Sequence, residues 1–174
     1  MLAEIRDAAG FRILLRYNHK GHLQQIIDSS NRLLSVATDE QGRIERIQTR
    51  HGADLINLVS YTYDENGNLS STANALDACK YFFYRGHLLV RLTNQGGLNF
   101  YWEYEGSGDN ARCVHTWGDK GILEYRTRYE EGKTIATNSL GYTTEYYYDE
   151  RKLIYKIIDA NGGVTLQQYN EFEE

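Results

Sequence analysis

The stretch Tyr61-Thr62-Tyr63-Asp64-Glu65-Asn66-Gly67-Asn68-Leu69 decides the fold. A run of strand-favouring residues ends in Tyr63-Asp64. Asn66-Gly67 then supplies the residue types that accept a left-handed backbone, and Leu69 opens a second run. Strand, tight polar turn and return strand make a β-hairpin. The same signal recurs at Tyr17-Asn18 with Gly21 and Leu23, and at Thr38-Asp39 with Gly42 and Ile44. Looser copies fall at Tyr84 with Gly86, at Tyr104, at Tyr129 with Gly132, and at Tyr148-Asp149 with Leu153. A last one starts at Tyr169. From Tyr17 through Thr38 to Tyr169 the steps are 21, 25, 21, 20, 25, 19 and 21 residues. A second, weaker series of turn signals lies between them, at Ser30-Asn31, His51-Gly52, Asn94 to Gly97, Gly118 to Gly121, Gly141 and Asn161 to Gly163. Each period therefore holds two strands and two turns, one hairpin per repeat.

Within the strands the hydrophobic period is two. Leu88, Val90 and Leu92 oppose Arg91 and Thr93; Phe100, Trp102 and Tyr104 oppose Tyr101 and Glu103; Leu123, Tyr125 and Tyr129 oppose Glu124, Arg126 and Arg128. Such alternation predicts an all-β sheet with one covered and one wetter face. A parity change between Val164 and Tyr169 predicts a bulge there, and Asn74 to Lys80 is the best candidate for a single helical turn. Composition agrees: 15 tyrosines, 16 glycines and no proline in 174 residues favour strands and turns and argue against disorder. A compact domain of this length buries about 70% of its unfolded surface, so a real core is possible.

A net charge of −5 speaks against nucleic-acid binding and attraction to anionic membranes. No apolar run approaches the ~20 residues of a spanning helix. The N-terminal residues show no secretory signal, so the expected location is the cytoplasm of the producer, with export by a specialised secretion system left open. Cys79 and Cys113 read as buried thiols rather than a disulfide framework.

The pattern Tyr63-Asp64-Glu65-Asn66-Gly67-Asn68-Leu69 resembles the YD repeat of bacterial Rhs proteins, of shell-forming subunits of insecticidal toxin complexes, and of animal teneurins. The resemblance runs from about Phe11 to Glu171. It departs from the family pattern at Thr38, which replaces the tyrosine, and at Asn18, Arg85 and Glu105, which replace the aspartate. It implies residues 1–10 as a lead-in and residues 11–174 as an array of repeats in a curved, solenoid-like sheet, part of a shell or open barrel. In such bacterial proteins the shell encloses a C-terminal toxin domain, often delivered by type VI secretion. Their closing segment resembles a self-cleaving protease with a proline-containing signature; with no proline here, that segment is not expected in this chain.

The residues expected to define the repeat are Tyr17, Gly21, Gly42, Tyr63, Asp64, Gly67, Tyr84, Tyr104, Tyr129, Tyr148, Asp149 and Tyr169, with cross-strand and repeat-to-repeat stacking as the role of the tyrosines. Tyr101, Trp102 and Trp117 are the candidate ligand contacts. Gly106-Ser107-Gly108-Asp109-Asn110-Ala111 matches a loose dinucleotide fingerprint, but a strand-like run follows it, so an enlarged hairpin turn is expected. His19 and His22 flank one turn without the cysteines or carboxylates of a metal set. Glu130-Glu131 and Asp149-Glu150 read as solvated turn charges. No catalytic, cofactor or metal residues are assigned. The leading expectation is a non-catalytic wall segment whose partners are a toxin cargo domain or further repeats, with weak end-to-end association or a capping chain at its open edges. The alternative is a stand-alone module binding carbohydrate or a partner protein.

Overall fold

The computed structural model describes residues 1–170; Glu171, where the resemblance ends, lies outside them. The chain divides into two compact units, Met1–Phe82 and the residues from Phe83 onward. The first unit contains β1 (Glu4–Arg6), β2 (Arg12–Tyr17), β3 (Leu23–Ile27), β4 (Leu33–Thr38), β5 (Ile44–His51), β6 (Asp54–Tyr63), β7 (Leu69–Asn74) and the start of β8 (Cys79–Arg85). The second contains the rest of β8, then β9 (Leu88–Thr93), β10 (Asn99–Glu105), β11 (Arg112–Gly118), β12 (Tyr125–Glu130), β13 (Lys133–Asn138), β14 (Thr143–Tyr148), β15 (Ile154–Ile158) and β16 (Val164–Leu166). In each unit the hydrogen-bonded order is the chain order, and every ladder with a defined register is antiparallel. The fold is all-β, as the alternation requires. Within residues 1–10, Glu4–Arg6 already pairs with Arg12–Leu14 of β2. Neither unit has a ladder joining its last strand to its first among the described residues.

One turn design is used again and again. An Asp or Asn ends the outgoing strand, and its Oδ1 accepts the backbone N–H groups two and four residues on. Asp64 does so with Asn66 (3.0 Å) and Asn68 (2.8 Å). The same pair of bonds starts at Asn18, Asp28, Asp39, Asn74, Asn94, Asn138, Asp149 and Asp159. The carboxylate or amide thus mimics a backbone acceptor inside the loop. The residue three places on closes the turn in the left-handed region, where Gly67 has φ +82°. Glycine fills that place in most copies because it carries no Cβ penalty, but Asn31, Asp77 and Lys152 occupy it at φ 60°, 58° and 68°.

Several expectations change. Asn74 to Lys80 is not a helical turn: Asn74 to Ala78 is another copy of the Asx turn, because an amide acceptor at the strand end outcompetes a single helical turn. The β15–β16 ladder runs Lys156↔Leu166 to Ile158↔Val164 without a register shift. The parity change there reflects the end of the strand at Leu166. Leu123 lies outside β12, in a turn at φ 51°. Asp149 is more than a solvated charge: it builds its turn and pairs with Arg151 at 3.2 Å. The thiols of Cys79 and Cys113 are half-buried rather than buried.

The core that the length allows is almost absent among the described residues. Of those residues only Val36 and Ile135 are buried and apolar, each 7% exposed. The accessible surface is 12462 Å², against ~8,700 Å² for a compact folded chain of this mass and ~29,000 Å² unfolded. The chain therefore buries about 57% of its unfolded surface rather than ~70%. A single layer of sheet has no second layer to close against.

The two sheet faces differ in chemistry. In the first unit the cross-strand pairs Leu15↔Ile26, Ile26↔Leu34, Val36↔Ile47 and Ile47↔Val59 place aliphatic residues with Tyr61 and Tyr63 on one face. Arg16, Gln25, Ser35, Gln48 and Arg46 lie on the other. In the second unit Phe100, Trp102, Thr116, Tyr125, Ala136, Thr144, Tyr146 and Ile157 share a face. The opposite face holds Arg91, Glu103, His115, Arg126, Arg128, Lys133, Glu145 and Lys156. Lys80, opposite Thr72, is the exception to an otherwise uncharged row of strand centres on the first face.

Candidate functional site

The repeat tyrosines act through their hydroxyls. Just before five of the repeat turns a register shift puts an extra residue on the return strand, between Arg16 and Tyr17, Ala37 and Thr38, Thr62 and Tyr63, Glu103 and Tyr104, and Tyr147 and Tyr148, whereas the Tyr129 hairpin pairs without one. The shift brings an apolar side chain opposite the repeat position: Leu23 faces Tyr17, Ile44 faces Thr38, Leu69 faces Tyr63 and Ile154 faces Tyr148. This explains why the sequence pattern ends in Leu or Ile.

Six of the repeat phenols reach back. Tyr63 donates to the Ile44 carbonyl at 2.7 Å, Tyr129 to Cys113 at 2.7 Å and Tyr169 to Ile154 at 2.8 Å. These acceptors are the residues that face the repeat position of the preceding hairpin. Tyr17, Tyr104 and Tyr148 make equivalent bonds to the carbonyls of Leu2, Leu89 and Glu130. Burial pushes the phenols of Tyr63, Tyr104 and Tyr129 above their ordinary range, which keeps them donors. What these bonds supply from repeat to repeat is a hydroxyl stitch. Cations add to it: the Arg43 guanidinium lies 4.6 Å from the Tyr63 ring centre and Lys152 lies 4.9 Å from that of Tyr148.

The three candidate contact residues separate. Tyr101 and Trp117 are directly opposed on β10 and β11 and stack at 5.2 Å, whereas Trp102 points to the other face. The stack continues to His115, whose ring centre is 4.2 Å from that of Trp117. Sequence reading missed His115, although its alternation with Trp117 on one strand was visible. Its Nδ1 lies 3.2 Å from Glu103 and its Nε2 3.0 Å from Glu124. The hydrogen bond with His115, then the Arg126 charge, holds the Glu124 carboxyl below its ordinary range against the effect of burial. Asp119 accepts from the Asn99 backbone (2.8 Å), the Asn99 amide and the Tyr101 hydroxyl, and its carboxyl is lowered, first by that backbone bond. These groups satisfy one another and leave an aromatic strip set in a charged surface.

Gly106 to Ala111 forms an enlarged hairpin turn with one three-residue 3-10 segment, Gly108–Asn110. His22 lies over the next turn: a Cβ on Gly42 would come within 2.8 Å of its ring, so Gly42 is needed for close approach as well as for its φ of +85°. His19 does not join it in a metal set; no group of three or more His, Cys, Asp or Glu is placed to hold a metal ion among the described residues. A shallow groove of about 350 Å³ beside the Gly106 turn is lined by Glu105, Asn110, Arg112 and Tyr129. Another, of about 530 Å³, runs between Tyr129 and Tyr148.

No protein-family model matches the chain. The probable deoxyribonuclease RhsB of Dickeya dadantii (strain 3937) is 30% identical over 175 residues, which cover 98% of this chain and 12% of that protein. The probable deoxyribonuclease RhsA of the same organism is 30% identical over 153 residues, 86% of this chain and 10% of that protein. The chain thus spans about one-tenth of the length of these curated relatives. Among solved structures, the crystal structure of TcdB2-TccC3-TEV superposes with a TM-score of 0.69 at 16% identity, over 92% of this chain and 10% of that one. The Photorhabdus luminescens Tc holotoxin pore gives 0.63 at 14% identity, over 87% and 9%. These likenesses establish the fold.

Proposed function

We propose that this chain, whose homologues are Rhs proteins, is a non-catalytic segment of the wall that encloses the cargo of an Rhs-type toxin. The observation that carries this reading is a repeat sheet with two chemically distinct faces and almost no core of its own. Such a sheet separates two spaces rather than filling one. The ion-paired face suits water, and the face dominated by aliphatic, aromatic and threonine side chains, with few cations, suits the enclosed side. The hydroxyl stitch and the Asx turns explain how a single layer keeps its register without a second layer behind it. The deoxyribonuclease activity in the relatives' names is assigned to cargo outside the matched tenth of those proteins, and containment is the mechanism: the wall keeps that activity from the producer. The partners are accordingly the cargo domain and further YD repeats of a longer polypeptide, cytoplasmic in the producer and released by type VI secretion.

The test is the intact size of the endogenous protein, by immunoblot of the producing cell with antibodies raised to this chain. A band several times larger than 20.1 kDa supports the wall. A band at 20.1 kDa overturns it and favours the stand-alone binding module, for which the Tyr101–Trp117 stack is the one favourable feature. A glycan array then decides that reading: hits lost in Trp117→Ala support it, and no hits reject it.

A further inference from the structure

The groove of about 530 Å³ between Tyr129 and Tyr148 lies wholly in the second unit. Directly opposed residues of neighbouring strands build its floor. Tyr129 on β12 faces Thr134 on β13, Thr134 faces Tyr146 on β14, and Tyr148 faces Ile154 on β15. The hydroxyls of Tyr129 and Tyr148 are bonded to backbone carbonyls, so these two side chains offer the groove their rings. The Tyr146 hydroxyl has no hydrogen-bond partner among the described residues and is left as a donor.

The floor is uncharged, but two cations line the groove, one beside each repeat tyrosine. The Arg112 guanidinium stands 5.3 Å from the centre of the Tyr129 ring and the Lys152 ammonium 4.9 Å from that of Tyr148. Neither makes an ion pair among the described residues, whereas Arg126 and Lys133 on the opposite face are paired with carboxylates. The acidic groups nearby are engaged elsewhere: Glu130 with Arg128 and Lys133, and Asp149 with Arg151. Glu105, across the ladder from Arg112, lines the neighbouring groove without pairing with it. Lys152 also stands where the turn is better served by glycine. It occupies the place that Gly67 fills in the Tyr63 turn, at φ 68°. A non-glycine residue held in the left-handed region costs free energy that the turn itself does not require.

We propose that this groove is a docking site for an acidic stretch of polypeptide. Its carboxylates meet Arg112, Lys152 and the Tyr146 hydroxyl, and its apolar side chains lie on the tyrosine rings and Ile154. Charge complementarity commits the occupant to carboxylates: the groove holds two unpaired cations and a free donor, and no acidic residue lines it. Shape commits it to a polypeptide. A shallow groove cannot enclose the roughly 70–90% of a small molecule that a ligand pocket buries, whereas an extended chain needs cover on one side only. Two strand spacings, about 10 Å, separate β12 from β14, and an extended segment covers that in about three residues. The wall reading supplies only the source of the stretch, which there is the enclosed polypeptide; the groove is tested on this chain alone.

The experiment is a two-dimensional amide NMR titration of this chain with a capped hexapeptide in which glutamate alternates with leucine. The comparison is the same peptide with lysine in place of glutamate. The chain carries a net charge of −5, so non-specific attraction favours the lysine peptide, and a preference for the glutamate peptide reports the groove. The expected result is saturable shifts centred on Tyr129, Thr134, Tyr146 and Ile154, with binding weakened by added salt. Binding should be about five- to tenfold weaker in the double variant Arg112→Gln, Lys152→Asn. Asparagine accepts the left-handed place, as Asn31 does at φ 60°, so the turn is kept, and circular dichroism checks that the sheet is intact. Arg126→Gln, on the opposite face, leaves binding unchanged. No saturable shift at millimolar peptide overturns the proposal. So does equal binding of the lysine peptide, or a double variant that binds as tightly as the wild type. None of these outcomes alters the size of the endogenous protein, so failure here and failure of the wall reading are told apart.

Discussion

Removing one hydroxyl tests whether the repeat tyrosine works as a stitch. In Tyr63→Phe the ring, its contacts and the Arg43 guanidinium 4.6 Å from its centre are all retained. What is lost is the 2.7 Å bond to the Ile44 carbonyl. A hydrogen bond of this type contributes about 0.5–1.5 kcal/mol net, and more when the abandoned acceptor cannot reach water. The site is partly buried, so water replaces the phenol only in part, and the expected destabilisation is about 1 kcal/mol. Urea unfolding followed by near-ultraviolet circular dichroism of the tyrosines measures it as a lower midpoint at unchanged slope. Native-state hydrogen exchange locates it, with faster exchange at the amides pairing β5 and β6. Tyr129→Phe, which loses an equivalent 2.7 Å bond to Cys113, should cost about the same. If both variants stay within about 0.3 kcal/mol of wild type, the tyrosines contribute through their rings alone and the stitch is refuted.

Other consequences follow from the turns and charges. Asp64→Ala removes the acceptor for the Asn66 and Asn68 N–H groups and should destabilise by about 1 kcal/mol, as loss of a helix N-cap does; Asp64→Asn, which keeps Oδ1, should recover most of it in the same urea assay. Gly67→Ala, at φ +82°, should lose about 1–2 kcal/mol from the left-handed strain. Asp77→Gly, at φ 58°, should raise the urea midpoint; no change would mean the non-glycine residue is unstrained there. Acid should loosen the sheet. Backbone hydrogen bonds from Arg32 and from Asn99, respectively, hold the Asp28 and Asp119 carboxyls below their ordinary value of 3.8. Lowered folded values mean stability fully present above pH ~4 and lost as pH falls through them. Thermal midpoints should therefore be flat from neutrality to about pH 5 and fall below pH ~4, and Asp28→Asn should lessen that fall.

Sequence alone determined the hairpin, its period and its turn sites, because these rest on local chemistry. An Asx acceptor, a residue that enters the left-handed region and a period-two alternation act within a few residues of one another and read directly from Tyr61 to Leu69. The second turn series read as the weaker one, since only Asn and Asp at its strand ends, and no tyrosine, mark it. The structure shows the same Asx turns there, at Asp28, Asn94, Asn138 and Asp159, and a further one at Asn74. Tertiary structure decided what depends on register between strands. The bulge that turns Leu69 towards Tyr63, the reach of a phenol back to the previous hairpin, and the parting of Trp102 from Tyr101 and Trp117 all follow from which residue lies opposite which. It also decided that no core forms: burial depends on whether a second layer covers the sheet, and alternation reads the same with one layer or two.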